Sequence, residues 1–366
     1  MSRRTNFINN VITIAVTLAL IFTVTYFCNQ KYVVELADAV VFLVIGAVAS
    51  GFIMTLCHEL AHVIAAKNNS FAFISMTVWF FKWAKVKNKI KFSFVMLSDS
   101  VGNTETVPTR TDNLKKRFLR VTSAGVKANF VLMLLGVVPF FIPDIDFRVL
   151  CILAMFLPIG AYCFFGNALP VGSAGIKNDG AMCYSLKKND DDAKTVLRML
   201  EIHAELYNGK TFGEIDESKY FDLPQLAEDD VNFTFLLNLR YNYYLDKNDT
   251  DNAKKVSERL LSLIDYMPKD VANVVKADLL YNACTFDYNE DRADELVYEL
   301  EKYLNKVNTV ANVRIKLAYI LYVKHEKEQL EVFYKKAVRE ANRNPVKGYG
   351  LFEKKLLSVM KQDFIK

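Results

Sequence analysis

The chain has 366 residues, of which 52% are hydrophobic, and its net charge is +5. The residues up to Gly180 contain most of the apolar segments and carry 17 Lys and Arg against 9 Asp and Glu, or +8, whereas the remainder carries 29 against 32, or −3. A basic excess confined to an apolar half is typical of the flanks of membrane helices, which argues against a nucleic-acid partner and predicts a membrane domain followed by a soluble domain.

The six cysteines include no CxxC pair, and most of them lie in apolar segments. This usage predicts small buried hydrophobic residues and argues against both a disulfide framework and a cysteine-based zinc site. The cysteines are Cys28, Cys57, Cys151, Cys163, Cys183 and Cys284.

Four apolar segments are long enough to cross a bilayer, at 8–28, 39–66, 121–142 and 149–168. The first has basic residues before it, as a signal peptide does, but it lacks a clear small-residue cleavage site and is interpreted as a transmembrane helix. The predicted fold is mainly α, with polytopic membrane helices and a small membrane-associated β-hairpin in residues 1–184. A soluble α-helical repeat domain follows in residues 190–366.

The second span ends with the HExxH motif His58-Glu59-Leu60-Ala61-His62. Two histidines four residues apart project from one helix face, where both imidazoles can reach a single zinc ion, and the intervening glutamate can take a proton from metal-bound water. Ionisable groups inside a bilayer are costly and rarely lack a role, so this position favours a function. The alternatives are a chance match and polar side chains that pack between helices.

The segment 71–107 between the second and third spans does not show helical spacing. Apolar residues alternate in 72–78 and again in 90–96, with Lys87-Asn88 between them as a turn. This pattern predicts a β-hairpin close to the membrane surface, either as an amphipathic cover on the bilayer or as part of a substrate site.

A catalytic zinc ion needs a third protein ligand and an open position for water. Asp179 follows the fourth span and the segment Asn167-Ala-Leu-Pro170, at the same membrane depth as the HExxH histidines. The two other histidines, His203 and His325, lie in the soluble half. Asp179 is therefore the preferred third ligand.

The basic residues of the first half fall on one side of a four-span arrangement, and the loops of the other side hold only Lys31 and Arg148. By the positive-inside rule both termini are cytoplasmic in a multi-pass cell-membrane protein, and the Lys-, Asn- and Phe-rich composition favours a bacterial plasma membrane. The residues on the cytoplasmic side are Arg3, Arg4, Lys67, Lys82, Lys85, Lys87, Lys89, Lys91, Arg110, Lys115, Lys116, Arg117 and Arg120.

From about residue 190 the chain becomes amphipathic at helical spacing. Tyr241-Asn242 recurs as Tyr281-Asn282, an offset of 40 residues, and each unit contains two helical patterns joined by a short polar turn. This periodicity predicts helical-hairpin repeats of the tetratricopeptide type, whose apolar positions form a repeat core or line a peptide-binding groove.

These motifs together resemble the site-2 protease family of intramembrane zinc metalloproteases. HELAH lies in one transmembrane helix, and Asn-x-x-Pro with a downstream Asp-Gly lies in a later one. Between them, residues 124–129 (AGVKAN) are similar to the family's Gly-Pro-x-x-x-Asn segment. The similarity covers about 39–184. Val126 stands where the family has proline, and eight residues separate Pro170 from Asp179.

The resemblance implies that His58, His62 and Asp179 bind Zn²⁺. It also implies Glu59 as general base and Asn167 as a residue that orients the substrate or stabilises the oxyanion. The expected activity is that of a zinc metalloendopeptidase, which hydrolyses peptide bonds in or near the transmembrane segments of membrane-anchored protein or peptide substrates in the lipid bilayer. The hairpin is similar in position to a family β-segment that holds substrate, and the repeats are a candidate site for a protein partner.

Two other classes stay open at the level of sequence. One is a catalytically inactive membrane scaffold that recruits partners through its repeats, although a purely structural zinc site would not need Glu59. The other is a zinc transporter or storage protein, which would be expected to carry ionisable residues along several spans, whereas the first and fourth carry none in their apolar cores.

Overall fold

The computed structural model describes residues 3–32, 36–87, 89–96, 101–173, 176–306 and 309–364. It is mainly helical and divides into two compact units, which are described separately. The first unit comprises Met1–Lys85, Ile90–Thr106 and Asp112–Ala193, and the second comprises Val86–Lys89, Val107–Thr111 and Lys194–Lys366.

Six helices form most of the first unit. They are α1 (Arg3–Lys31), α2 (Leu36–Asn68), α3 (Leu114–Leu135), α4 (Phe147–Ala154), α5 (Phe156–Ala168) and α6 (Asp179–Lys188), with a 3-10 turn at Val138–Phe141 after α3. A four-stranded sheet of β1 (Phe71–Val78), β2 (Phe81–Val86), β3 (Lys89–Phe94) and β4 (Gly102–Pro108) lies between α2 and α3 in the chain.

Four helical segments are long and apolar enough to cross a membrane, in agreement with the four apolar spans predicted from the sequence. Only 22% to 39% of the most apolar window in each is buried inside the protein. Helices with so much exposed apolar surface require an apolar solvent, which indicates a membrane protein. The segments are Thr5–Gln30, Asp38–Asn68, Leu114–Phe141 and Phe147–Ala168.

The third and fourth spans differ in detail from the prediction. The third helix begins at Leu114, seven residues before the predicted start at Val121, because its first turns are basic and were not counted as apolar. The fourth consists of α4 and α5, which meet at Met155. Pro158 explains this break, since proline has no N–H to donate and its ring clashes with the carbonyl four residues earlier, that of Ala154.

Glycines permit close helix contacts in this unit. A Cβ atom added to Gly46 of α2 would lie 2.8 Å from the backbone of Ile152 in α4, and one added to Gly160 of α5 would lie 2.8 Å from the backbone of Met133 in α3. Small residues let apolar helices approach closely and so improve van der Waals packing. In lipid this packing is a main source of helix association, because the hydrophobic effect does not drive apolar helices together there.

The region predicted as one hairpin holds four strands in the order β3-β2-β1-β4. β1 pairs antiparallel with β2 through a turn at Trp79-Phe80, with Ser75 opposite Ala84. β3 therefore lies beside β2 and does not pair with β1. Asn88, half of the predicted turn, lies outside the described residues.

The second unit is helical. Consecutive helices pack against each other, α9 with α10, α11 with α12 and α13 with α14, and α15 packs on α13 and α14. Its helices are the part of α7 (Asp191–Tyr207) from Lys194 onward, α8 (Ser218–Phe221), α9 (Val231–Lys247), α10 (Thr250–Ser262), α11 (Lys269–Thr285), α12 (Glu290–Lys306), α13 (Val310–Tyr319), α14 (Lys327–Ala341) and α15 (Lys347–Asp363). Short 3-10 helices cover Phe212–Glu214 and Ile264–Tyr266, and a π-helix covers Ile320–Lys324.

An ion pair lies in the core of this unit. Arg314 Nε donates to Glu353 Oε2 at 2.7 Å, and the two side chains are only 2% and 0% exposed. The guanidinium also stacks over the ring of Tyr281, 4.1 Å from its centroid. A buried charge is tolerated only when it is paired, so each partner depends on the other.

We expect Arg314→Met to lower the free energy of unfolding of the second unit by about 3 to 5 kcal/mol, because it leaves the Glu353 carboxylate buried and unpaired. Removing both charges in Arg314→Met/Glu353→Leu should recover most of this loss. Chemical denaturation of the full-length protein, followed by circular dichroism, measures both. A double variant no more stable than the single one would contradict the pairing argument.

Candidate metal centre

The two histidines of the HExxH motif lie one turn apart on α2 and point to the same side. His58 Nε2 and His62 Nε2 are 3.0 Å apart, and both residues are buried. Spacing four residues apart in a helix of 3.6 residues per turn places both rings on one face. The geometry predicted from the motif is thus present in the structure.

Asp179, the first residue of α6, meets both rings. Its Oδ2 lies 3.2 Å from His58 Nε2 and 3.2 Å from His62 Nε2. A tetrahedral zinc site with bonds of about 2.0 Å separates neighbouring ligand atoms by about 3.3 Å. Among the described residues, these three form the one group of His, Cys, Asp or Glu side chains that can hold a metal ion.

The tautomer of His62 is set by the contact of its other ring nitrogen. His62 Nδ1 lies 2.8 Å from the backbone carbonyl oxygen of Val121 on α3. A carbonyl can only accept, so Nδ1 carries the proton, and in the neutral ring Nε2 presents its lone pair to Asp179. Such a contact orients a metal-binding imidazole and sets its tautomer.

Asn129 has the same relation to His58. Its side-chain nitrogen lies 3.0 Å from His58 Nδ1, while its Oδ1 is buried without a hydrogen-bond partner among the described residues. Exchanging the amide oxygen and nitrogen lets Oδ1 accept from His58 Nδ1–H. His58 Nε2 then also presents a lone pair.

Three acceptor atoms therefore converge at one buried point. Asp179 Oδ2 itself has no hydrogen-bond partner within the described part of the chain. Converging lone pairs repel each other unless a cation lies between them, so the residues present fit a metal ion.

Gly125 gives the histidines the room that they need. A Cβ atom at this position of α3 would lie 2.5 Å from both His58 Nε2 and His62 Nε2. Val121 and Asn129 lie one turn before and one turn after it, so a single face of α3 supplies the gap and both partners of the rings.

A short loop holds Asp179 in position. Asn178 caps α6: its Oδ1 accepts from the backbone N–H of Ala181 at 2.9 Å, and its Nδ2 donates to the carbonyls of Gly166 at 2.6 Å and Leu169 at 2.7 Å. The strands β5 (Gly172–Ser173) and β6 (Ile176–Lys177) form a small antiparallel hairpin just before it. This hairpin takes up the long spacing between Pro170 and Asp179.

Helix α1 also contacts this loop. Asn6 Nδ2 donates to the carbonyl of Gly172 at 2.7 Å, and the N–H of Gly172 donates to Asn6 Oδ1 at 3.3 Å. Asn9 Nδ2 donates to the carbonyl of Pro170 at 2.8 Å. The first span is thus tied to the segment that carries the third candidate ligand.

Glu59 is buried and faces the sheet. The Thr104 hydroxyl of β4 donates to Glu59 Oε2 at 2.5 Å, and a Cβ atom on Gly102 of the same strand would collide with Glu59 Oε1. The hydroxyl orients the carboxylate, and the glycine allows the strand to pass close to it. An edge strand of the sheet therefore lies against the glutamate of the motif.

The remaining candidates are not part of the cluster. Asn167 lies in the last turn of α5 and donates through Nδ2 to the carbonyl of Cys163 at 3.0 Å, and its predicted role toward substrate stays a prediction. His203 lies on α7, where burial lowers the pKa of its imidazole, and His325 ends the π-helix in a left-handed conformation.

Comparison of the chain with protein-family models, curated proteins and solved structures finds no match. The geometry of the cluster is therefore the basis for a functional assignment.

We expect Asp179→Ala to lower the metal content of the purified protein well below one equivalent, because a carboxylate ligand is lost while both histidines remain. His203→Ala and His325→Ala are the matched controls and should keep the wild-type content. Inductively coupled plasma mass spectrometry of the detergent-purified variants measures the metal. Full occupancy in Asp179→Ala would identify a different third ligand.

Gly125→Ala should also lower metal content, since the added methyl would occupy the space of the two imidazoles. Alanine is a better helix former than glycine, so the helix itself should not be weakened. Gly166→Ala is the matched control, because an added Cβ there meets no atom within 4 Å. Equal metal content in Gly125→Ala and Gly166→Ala would contradict this expectation, because it would show that α3 can shift to make room for the added methyl group.

Proposed function

We propose that this protein is an intramembrane zinc metalloprotease that hydrolyses peptide bonds in or near the transmembrane segments of membrane-anchored substrates. The observation that carries the proposal is the convergence of His58, His62 and Asp179 beside Glu59, on helices apolar enough to span a bilayer. A purely structural metal site would have no use for a carboxylate at the position of Glu59.

Zinc is the metal that the donor set favours. Two imidazole nitrogens and one carboxylate oxygen match the ligands of catalytic zinc sites, which use three protein ligands and keep a fourth position for water. Calcium and magnesium prefer oxygen ligands only. When bound, zinc would polarise the scissile carbonyl and lower the pKa of a water molecule.

The protein's own groups then have separate tasks. His58, His62 and Asp179 hold the metal, with the Val121 carbonyl and Asn129 keeping the rings in position. Glu59 accepts the proton of the attacking water at its carboxylate and passes it to the leaving amine. Thr104 donates to one oxygen of that carboxylate and so fixes its orientation.

The sheet offers a way to present the substrate. A transmembrane helix hides its peptide bonds in its own hydrogen bonds, so it must become extended before hydrolysis. β4 is an edge strand of the sheet and contacts Glu59 through Thr104. An extended substrate that pairs with this edge would lie close to the general base.

The proposed orientation in the membrane follows from the distribution of basic residues between the loops. The positive-inside rule gives a multi-pass protein of a bacterial plasma membrane with both termini in the cytoplasm. The helical pairs of the second unit are consistent with repeats of the tetratricopeptide type, which bind protein partners through concave surfaces. They would select or position the substrate.

We expect Glu59→Gln to keep the metal but to abolish proteolysis, because only the proton acceptor is lost. Substrates that the inactive variant retains on purification should be cleaved when they are incubated with wild-type protein. Fragment formation, followed by mass spectrometry, is the measurement.

Glu105→Gln provides the matched control, because it also replaces a carboxylate by an amide. Glu105 lies on β4 and accepts a hydrogen bond from Ser75, so it does not contact the motif. It should retain activity. Wild-type cleavage by Glu59→Gln would reject the protease and favour a catalytically inactive scaffold that recruits partners through its repeats.

A further inference from the structure

A cleft of about 540 Å³ lies next to the metal centre but outside it. Its walls come from α3, from the end of α5 with the loop that follows, and from α6. Leu119, Val126, Ala168 and Pro170 make the walls largely apolar. Val126 and Gly180, which also line it, are the chain neighbours of Gly125 and Asp179 at the metal centre.

Three cations stand around this cleft, Arg120 and Lys127 from α3 and Lys187 from α6. All three are exposed, and none forms an ion pair within the described part of the chain. Arg120 makes one long contact, 3.4 Å to Asn69 Oδ1. Like charges gathered without an acidic partner repel each other, and an anion between them removes that repulsion.

The cleft continues into an apolar stripe on α3. Leu119, Val126, Phe130 and Leu134 follow one another at spacings of seven, four and four residues, which keeps them on one helix face. Phe130 and Leu134 are 42% and 49% exposed. The cations therefore stand at the point where the basic first turns of α3 give way to its apolar surface.

We propose that this cleft binds an anionic phospholipid, with the phosphate headgroup held by Arg120, Lys127 and Lys187 and one acyl chain along the apolar stripe of α3. A small soluble phosphate would use the cations but leave the stripe without a role. An anionic lipid uses both, and basic pockets between membrane helices are suited to such headgroups. This proposal does not depend on the proposed protease activity.

The test uses the full-length protein in detergent and native mass spectrometry. Dioleoyl phosphatidylglycerol should be retained at least tenfold better than dioleoyl phosphatidylcholine, and glycerol phosphate at the same concentration should not displace it. Lys127→Gln/Lys187→Gln should reduce retention of phosphatidylglycerol at least tenfold. Lys82→Gln/Lys91→Gln on the sheet removes the same charge elsewhere and should retain the lipid.

A second variant keeps the charges and blocks the space. Ser123→Phe should fill the cleft from α3 and reduce lipid retention to a similar extent. Metal content and unfolding temperature show that each variant is folded, and they also report on the metal centre independently of the lipid. Equal retention of the two lipids, or retention unaffected by both cleft variants, would overturn the proposal. Displacement by glycerol phosphate or by an acidic peptide would assign the cleft to a soluble ligand and would overturn it as well.

Discussion

The close contact between α2 and α3 at Gly125 determines the geometry of the candidate metal centre. Two imidazoles from α2 occupy the space that a side chain on α3 would otherwise fill. The contact also brings the Val121 carbonyl and Asn129 to the second nitrogen of each ring. Because helices are rigid and their contact leaves no free space, the two ring nitrogens are held 3.0 Å apart without the help of a loop.

Asp179 is held in a different way. It begins a helix that follows an irregular segment, and its position depends on hydrogen bonds from Asn178, Asn6 and Asn9 to the backbone of that segment. Polar side chains in an apolar unit are costly unless they are paired, and here they satisfy the carbonyls of a loop that has little regular structure of its own. The third candidate ligand is therefore fixed by a network and not by a single helix contact.

The sequence predicted the parts of this protein that depend on local periodicity. The length of the apolar segments predicted the four spans. The HExxH spacing predicted that the two imidazoles lie on one face of a helix. Contacts between distant segments could not be predicted in the same way: the Val121 carbonyl has no side-chain signature, and Thr104 reaches Glu59 only because β4 lies beside α2. Pro158 was a visible sign of the break at Met155. The prediction of a single hairpin was wrong about which strands pair. An alternating pattern shows which residues form strands, but it does not show which strands are neighbours.

The 40-residue offset of the second half also appears in a set of polar contacts, which the repeat prediction did not include. Asn238 donates to Asp278 at 3.0 Å, Tyr241 donates to Asn282 at 2.6 Å, and Arg314 pairs with Glu353, at separations of 40, 41 and 39 residues. Polar positions of one helical pair thus meet the next pair in its buried core. Such contacts are satisfied only when the pairs stack in one register, because a shift by a turn would leave charged or amide groups buried without partners.

Helix α3 has two adjacent faces with different surroundings. One contains Gly125 and faces the imidazoles, and the other contains Val126 and lines the cleft beside Gly180. Successive residues on a helix are rotated by about 100°, so the face of α3 that lines the cleft adjoins the face that meets the imidazoles. The gap tolerates little change, since a single methyl group at Gly125 would collide with both rings. A ligand that bridges α3 and α6 at the cleft would therefore contact two of the three helices that form the candidate metal centre.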